Sequence, residues 1–257
     1  MTQQAASKGT ALVTGGARRI GAVIARRLAA EGYAVGIHAH HSAAEARALA
    51  AELRAGGHRA AALHADLSDR AAVAALLPDC ERLLGPVRLL VNNAAGFRYD
   101  TALDFTPADL DFHLRPNLEA PLILARDVVR ALAGASGAVV NMLDHKVTAL
   151  NPDFFTYTTA KIGLAGATRM MAMAFGGRVR VNGVAPGITL ISGKQTEAGF
   201  ARAWTAPPLG RSATPDEIAD AVLFAAETPA LNGQILVLDG GESLLERKRD
   251  VAFDGGS

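Results

Sequence analysis

The chain predicts an α/β fold in which one seven-stranded parallel sheet is doubly wound, with helices on both faces. Three observations carry this reading. Short, continuous apolar runs alternate with longer Ala-, Leu- and Arg-rich segments, as they do when strands buried on both faces are joined by crossover helices. The longer segments place their apolar residues at helical spacing. A glycine-bearing turn, Thr14-Gly15-Gly16-Ala17-Arg18-Arg19-Ile20-Gly21, joins the first apolar run to the first long segment, the arrangement of a Rossmann-type unit.

In chain order, strands are expected over 10–14, 34–38, 59–64, 89–92, 137–142, 179–184 and 234–238. The helices expected between and after them cover 19–30, 43–55, 69–83, 107–112, 118–133, 154–175 and 215–226. Pro78 should kink or break the third helix, because it lacks an N–H and crowds the preceding turn. The sixth helix is supported by Leu164, Met170, Met171 and Met173 as apolar bulk and by Ala and Lys, which favour helical backbone. Each crossover should be right-handed. No composition shift, long linker or solenoid-spaced repeat divides the chain, so residues 1–257 read as a single domain with polar tails at 1–8 and 248–257.

At 257 residues and 50% hydrophobic content the chain can bury one large core. A formal net charge of +1 gives no reason to expect nucleic acid or a membrane surface as partner. Cys80 is the only cysteine, which excludes an internal disulfide and a cysteine-based metal site; it reads as a packed thiol. Residues 1–8 are polar and lack the apolar stretch of a signal peptide, and no later run approaches membrane-spanning length, so the cytoplasm is expected.

The chemistry gathers at the carboxyl ends of the strands. In the first turn, Gly15 and Gly21 allow a sharp bend close to a pyrophosphate, with Arg18, Arg19 and Ile20 at the helix N-terminus, where free N–H groups favour anions. The second strand ends in His38-Ala39-His40-His41-Ser42. A Rossmann site for NAD carries an acid there; this segment carries imidazoles and a hydroxyl, with Arg18 nearby, which suits a 2′-phosphate and points to NADP(H). A His-rich metal site is the competing reading, but neighbouring strand residues face opposite ways and no further ligand cluster is evident. Asp66, followed by Leu67, fits either an acceptor for the adenine amino group or an acid near the next helix N-terminus. Asn93, Ala94 and Ala95 form a small-residue turn after the fourth strand, and Phe97 beyond it serves either packing or stacking on a flat substrate. Asn117 reads as a helix cap or as something more.

Tyr157 and Lys161 lie four apart on the sixth helix and so share a face. A nearby cation favours phenolate, so Lys161 is expected to lower the tyrosine pKa and make it an acid/base near neutrality. Asp144, after the fifth strand, is either a loop acid facing water or a partner of that tyrosine. Pro186, Gly187 and Thr189 follow the sixth strand, and residues 190–208 read as a covering loop and short helix.

The Y-x-x-x-K pair, the glycine turn, the Asn92-Asn93-Ala94 turn and the Asp239-Gly240-Gly241 end together resemble the short-chain dehydrogenase/reductase family, from about Thr10 to Leu244. The resemblance implies an NADP(H)-linked oxidoreductase with Tyr157, Lys161 and Asn117 in its proton relay, Pro186, Gly187 and Thr189 closing over the nicotinamide carboxamide, and a homotetramer. Three departures from that family agree with one another: Arg19 where glycine is usual, Asp144 where serine is usual, and Phe97. With residues 32–46 they resemble the pteridine reductase branch, which implies a pterin between Phe97 and the nicotinamide, contacted by Arg19, Asp144 and Tyr157. Ala95 stands where that branch has serine, and His41 where it has a basic residue. The alternatives are an NADPH-dependent carbonyl reductase (of 3-oxoacyl or other ketones) and a non-catalytic NADP-binding protein on the same fold.

Overall fold

A computed structural model describes residues 8–191 and 195–253. The remainder of the expected tails, and three residues of the expected covering loop, lie outside the described residues. Seven strands form one sheet: β1 (Thr10–Val13), β2 (Ala34–Ala39), β3 (Ala60–His64), β4 (Val87–Asn92), β5 (Gly137–Met142), β6 (Val179–Pro186) and β7 (Ile235–Leu238). Their order is β3-β2-β1-β4-β5-β6-β7 and every neighbouring pair is parallel. The order reverses beside β1, between β2 and β4. Chains leaving the carboxyl ends there diverge to opposite faces and open a crevice.

Strand alternation supplies both cores. Ala11 and Val13 of β1, Val35 and Ile37 of β2 and Val140 of β5 are buried on the face covered by α1 (Arg19–Ala30), α2 (Ala43–Ala55) and α8 (Pro215–Glu227). Leu12, Leu90 and Val139 are buried on the other face, against α3 (Arg70–Leu84) and α5 (Ala120–Ala131). Cys80 is fully buried on α3; a Cβ on Gly36 of β2 would stand 2.6 Å from its sulfur, so helix and strand meet closely where both residues are small. Burial pushes the thiol pKa up to about 12, as expected of a packed cysteine.

Two expectations about helices need correction. Pro78 does not break α3, which continues through it to Leu84. Pro78 lies on the exposed side of the helix, while Val73, Leu76, Leu77, Cys80 and Leu84 bury the other; the helix bond lost at proline therefore faces water, and the packed stripe holds the backbone. The helices expected at 107–112 and 118–133 form one continuous rod, α4 (Pro107–Leu114), a π-helical turn (Arg115–Glu119) and α5. Asn117 therefore sits inside a π turn and caps nothing. Two further helices complete the fold, α6 (Phe155–Ala174) and α7 (Glu197–Thr205), the latter within the expected covering segment.

The residues before β1 and after β7 are held rather than trailing. Lys8 Nζ lies 2.6 Å from Glu227, and its N–H donates to Gly32 O. At the other end, the Arg249 guanidinium forms two 2.8 Å bonds to the buried Asp153 carboxylate, the Asp250 N–H donates to the same carboxylate, and the Lys146 ammonium lies 2.6 Å from Asp250. The polar tail expected from 248 is thus, as far as Phe253, a strap tied across the sheet's carboxyl edge. Its polar residues are there to pair with buried charges.

Candidate active site

The glycine turn is built by close approach. Gly15 has φ +61°, and a Cβ there would stand 2.8 Å from Ala94 Cα; a Cβ on Gly21 would come within 2.6 Å of the Asn93 amide nitrogen. The Asn93 amide donates to Thr14 O and Gly15 O, each at 3.0 Å, and the Thr14 hydroxyl accepts from the Asn93 and Ala94 N–H groups. The turns after β1 and β4 are thereby stitched into one wall. Arg18 is the N-cap residue of α1 but gives it no side-chain cap, so the helix opens on the cleft with first-turn N–H groups uncapped. Arg19 has φ +54°, the left-handed region that glycine tolerates and arginine does not.

His38 corrects the expectation of a phosphate donor. Its Nδ1 accepts from the Gly15 N–H at 3.2 Å and its Nε2 donates to Ala65 O at 3.0 Å, so both ring nitrogens are used. Burial is the main cause that lowers its pKa to about 4, and the ring is a neutral strut under the glycine turn. His40 and His41 stack at 3.8 Å and stand at the cleft with Ser42; Arg18 reaches Glu45 at 3.6 Å. Asp66 accepts from the Ser68 N–H and hydroxyl, both at 2.8 Å, and Asp69 takes the N-cap of α3. Among the described residues no group of three or more His, Cys, Asp or Glu is placed to hold a metal ion.

These walls enclose a cleft of about 980 Å³ along the carboxyl ends of the strands. Gly15, Arg18, Arg19, Ile20, Gly21, His38, His40, His41, Ser42, Asp66, Leu67, Asn93, Ala94, Ala95, Phe97, Asp144, Tyr157, Pro186, Gly187 and Thr189 all line it. Lys161 and Asn117 lie behind the lining. Gly187 must be glycine, since a Cβ would meet Asp239 at 2.7 Å and the Ser212 hydroxyl at 2.8 Å.

Toward β5 the cleft gathers buried titratable groups. The Tyr157 hydroxyl donates to Asp144 Oδ2 at 3.0 Å. The Lys161 ammonium donates to Met142 O at 2.7 Å and lies 5.6 Å from the centre of the Tyr157 ring. The expected lowering of the tyrosine pKa is reversed: burial first, then the Asp144 charge and hydrogen bond, raise it well above its ordinary value. Burial also lowers Lys161 to about 8. Burial would raise Asp144, but the His145 contact and charge, with the Lys146 N–H bond and charge, hold its carboxyl below the usual range. Asp144 is thus no water-facing loop acid. Asn117 is fully buried; its amide donates to Gly96 O and His113 O at 2.9 Å each, while its Oδ1 has no partner among the described residues. Phe97 stacks on Phe154 at 4.5 Å and meets the Tyr157 ring edge-on at 4.8 Å, leaving it 41% exposed toward the cleft.

Sequence reasoning missed His145, Lys146, Asp250 and Val251, all of which line the same cleft. The first two follow Asp144 directly and carried a signal in that adjacency. Asp250 and Val251 carried none, because they reach the site only through the strap.

A family model described as enoyl-(acyl carrier protein) reductase matches residues 15–243. D-threitol dehydrogenase of Mycolicibacterium smegmatis is 36% identical, over 91% of this chain and 92% of its own length. Pteridine reductase 1 of Leishmania tarentolae is 32% identical, over 91% and 96%. The crystal structure of FolM alternative dihydrofolate reductase 1 from Brucella canis, complexed with NADP, superposes with a TM-score of 0.91 at 39% identity, covering 96% of this chain and 99% of that one. Sequence and fold agree over nearly the whole length, and the chain belongs to the short-chain dehydrogenase/reductase family of oxidoreductases.

Proposed function

We propose that this chain is an NADPH-dependent reductase of a dihydropterin. One observation carries the reading: where the family usually has serine, the Asp144 carboxylate accepts the Tyr157 hydroxyl at 3.0 Å, beside an exposed aromatic face on Phe97. A carboxylate–phenol pair is suited to placing a proton on a ring nitrogen, where a hydroxyl alone serves to polarise a ketone. The named relatives, a pteridine reductase and an alternative dihydrofolate reductase bound to NADP, support it.

The cleft fits the cofactor on its own terms. Its volume is at the top of the ~300–1,000 Å³ common to small-molecule sites. One end offers uncapped helix N–H groups beside two glycines, which favours a pyrophosphate held by Gly15, Ile20 and Gly21. His40, His41, Ser42 and Arg18 supply donors for a 2′-phosphate, and the second strand's end carries no acid. NADPH, when bound, supplies the hydride to the pteridine C=N bond.

The chain's residues manage the proton. Tyr157 stays protonated because burial and the Asp144 charge oppose phenolate, so it is poised as an acid. It gives its proton to the substrate nitrogen, and the buried Lys161 charge stabilises the phenolate left behind. Arg19 holds the substrate's polar edge, and Phe97 covers one face of the ring. General acid catalysis of this kind is worth about 3–5 kcal/mol. The exposed Ile162, Met170 and Met173 of α6, 43%, 65% and 82% accessible, support a homotetramer packed through that helix. No helix among the described residues is long and apolar enough to cross a membrane.

The second reading, a carbonyl reductase, is favoured by the 36% identity to D-threitol dehydrogenase. NADPH oxidation against a panel of dihydropterins and ketones, with wild type and Asp144→Ser, separates the two. Dihydropterin turnover that falls at least tenfold in Asp144→Ser supports the pterin assignment. Unchanged pterin turnover, or ketones as the main substrates, would remove it.

A further inference from the structure

Three buried polar side chains behind the cleft take part in no step described above. Asp100 comes from the loop after β4, His113 from α4 and Thr156 from the first turn of α6, and they are 5%, 0% and 0% exposed. The Thr156 hydroxyl donates to Asp100 Oδ2, and His113 Nδ1 lies 2.7 Å from the Thr156 oxygen. His113 Nε2 accepts the Arg98 N–H at 3.0 Å. Because Nε2 accepts, the neutral ring carries its one proton on Nδ1 and donates it to Thr156, whose own proton goes to Asp100. An imidazolium would instead turn an Nε2–H against the Arg98 N–H. Burial lowers the His113 pKa below the ordinary imidazole value, outweighing the charges of Asp100 and Asp109, so the ring is neutral at neutral pH.

We infer that His113 is a positioning residue that holds the Phe97 ring in register with the acid Tyr157. Phe97 directly precedes Arg98, and Tyr157 directly follows Thr156, so each of the two positions bonded to His113 adjoins a ring of the site. On the other side of Phe97, Gly96 O accepts the Asn117 amide at 2.9 Å, so both neighbours of Phe97 are fixed to the rod of α4, the π turn and α5. The His113 ring itself meets the Tyr157 ring edge-on, centre to centre at 6.1 Å. Asp100 completes the frame at the start of α6: its Oδ1 accepts the Thr156 N–H at 3.0 Å and its carbonyl the Phe155 N–H at 3.3 Å. Phe154, the N-cap residue of α6, has φ +55° and gives no side-chain cap, so the Asp100 carboxylate serves that helix end from another loop. A left-handed phenylalanine persists only where its surroundings over-determine it, and Phe154 is the ring on which Phe97 stacks.

The buried bond outweighs the other holds on this loop. The Arg98 side chain lies over the Phe112 ring at 4.2 Å and reaches Asp109 at 3.3 Å, but that pair stands in solvent, where screening leaves it little weight. No water competes for the Arg98 N–H at His113 Nε2, and a satisfied buried chain of hydrogen bonds fixes one geometry. Stacking alone lets Phe97 slide over Phe154, since attraction between rings is broad; the backbone bonds at Gly96 and Arg98 stop the slide. A misplacement of about 1 Å in a group that orients substrate can cost up to roughly a hundredfold in rate.

This role rests on the reading that Phe97 covers the substrate, and a double-mutant cycle separates the failure of one from the failure of the other. Steady-state kinetics on the full chain use 7,8-dihydrobiopterin, or ethyl acetoacetate if the panel returns ketones as substrates. His113→Phe should lower kcat/KM about tenfold, with the dissociation constant of NADPH within about twofold of wild type by fluorescence titration. In a Phe97→Ala background the same substitution should cost less than about twofold, since no ring is left to position. His113→Gln, whose amide oxygen reaches the place of Nε2 and can accept the Arg98 N–H, should stay within about threefold of wild type. If His113→Phe does not fold, Thr156→Val carries the same cycle, because it keeps the side chain's shape and removes the hydroxyl that anchors the imidazole; Thr156→Ser should restore kcat/KM. Additive losses with Phe97→Ala would overturn the role, as would an unchanged kcat/KM in the folded variant. So would a His113→Gln as impaired as His113→Phe, or an equal loss of NADPH affinity, which marks a merely structural residue. Wild-type kcat/KM in Phe97→Ala alone would overturn the placing of substrate against Phe97 together with the role built on it, whereas additivity overturns only the latter.

Discussion

His38 ties the stability of the cofactor-side wall to pH, and its contribution can be worked from the structure. The ring accepts from Gly15 N–H through Nδ1, a bond that imidazolium cannot make. Burial lowers its pKa from 6.5 to about 4. The neutral form is therefore preferred on folding, so the stability it contributes is fully present above about pH 6.5 and is lost as pH falls toward about 4. A displacement of about 2.5 pH units at ~1.36 kcal/mol each sets a limit of ~3 kcal/mol. Between about pH 7 and pH 5, where the unfolded imidazole is mostly charged and the folded one is not, the loss is ~2 kcal/mol. Other groups titrate in this range, so the quantity to measure is a difference against His38→Gln. That variant should lose ~1–3 kcal/mol at pH 7, because one of Gly15 N–H and Ala65 O goes unpaired. It should then fall less on acidification, by ~2 kcal/mol, than the wild type. Urea unfolding followed by circular dichroism at the two pH values, at one protein concentration and without cofactor, gives both numbers. Equal losses in the two proteins would refute the argument that His38 is held neutral in the fold.

Four further outcomes follow from the site. Tyr157→Phe should cut kcat about a hundredfold or more with the dissociation constant of NADPH nearly unchanged, read by steady-state kinetics and fluorescence titration; a loss confined to NADPH binding would contradict its role as acid. Arg19→Gly should raise thermal stability slightly, since a left-handed arginine costs ~1–2 kcal/mol and glycine returns part of that in chain entropy, while raising KM for the pterin; a fall in melting temperature would contradict the strain. Asp153→Asn should loosen the strap, which its carboxylate holds through Arg249 and the Asp250 N–H, so that hydrogen exchange speeds up over 249–251 and KM for substrate rises more than KM for NADPH. NADPH should also bind much more tightly than NADH; equal affinity would remove the argument from His40, His41, Ser42 and Arg18.

Much of this protein was legible in its sequence, for a physical reason. Strand and helix periodicity is local, so all seven strands emerged close to their expected bounds, β5 at 137–142 among them. Motifs that require a backbone shape were also local: the glycine turn, the 93–95 turn and the Tyr157–Lys161 spacing each placed residues at the sheet's carboxyl edge without knowledge of the partner strand. Local rules failed where packing overrode them. Pro78 looked like a kink or a break, but it faces water opposite a packed stripe, and the two helices expected at 107–112 and 118–133 are joined by a π turn.

Charge and proton position were settled only by the tertiary structure. Sequence spacing put a cation near Tyr157 and implied a lowered pKa; the fold instead turned the hydroxyl to Asp144 and buried it, and desolvation with a neighbouring carboxylate outweighed the lysine. His38 looked like a free donor until both ring nitrogens were found occupied. The Lys146–Asp250 and Arg249–Asp153 pairs span about a hundred residues, and His145 meets Glu242 only because β7 lies beside β6. A pKa depends on burial and on charges within a few ångströms, and neither is a property of neighbours along the chain; the sequence by itself determined which groups were available, and the fold decided which of them hold the proton.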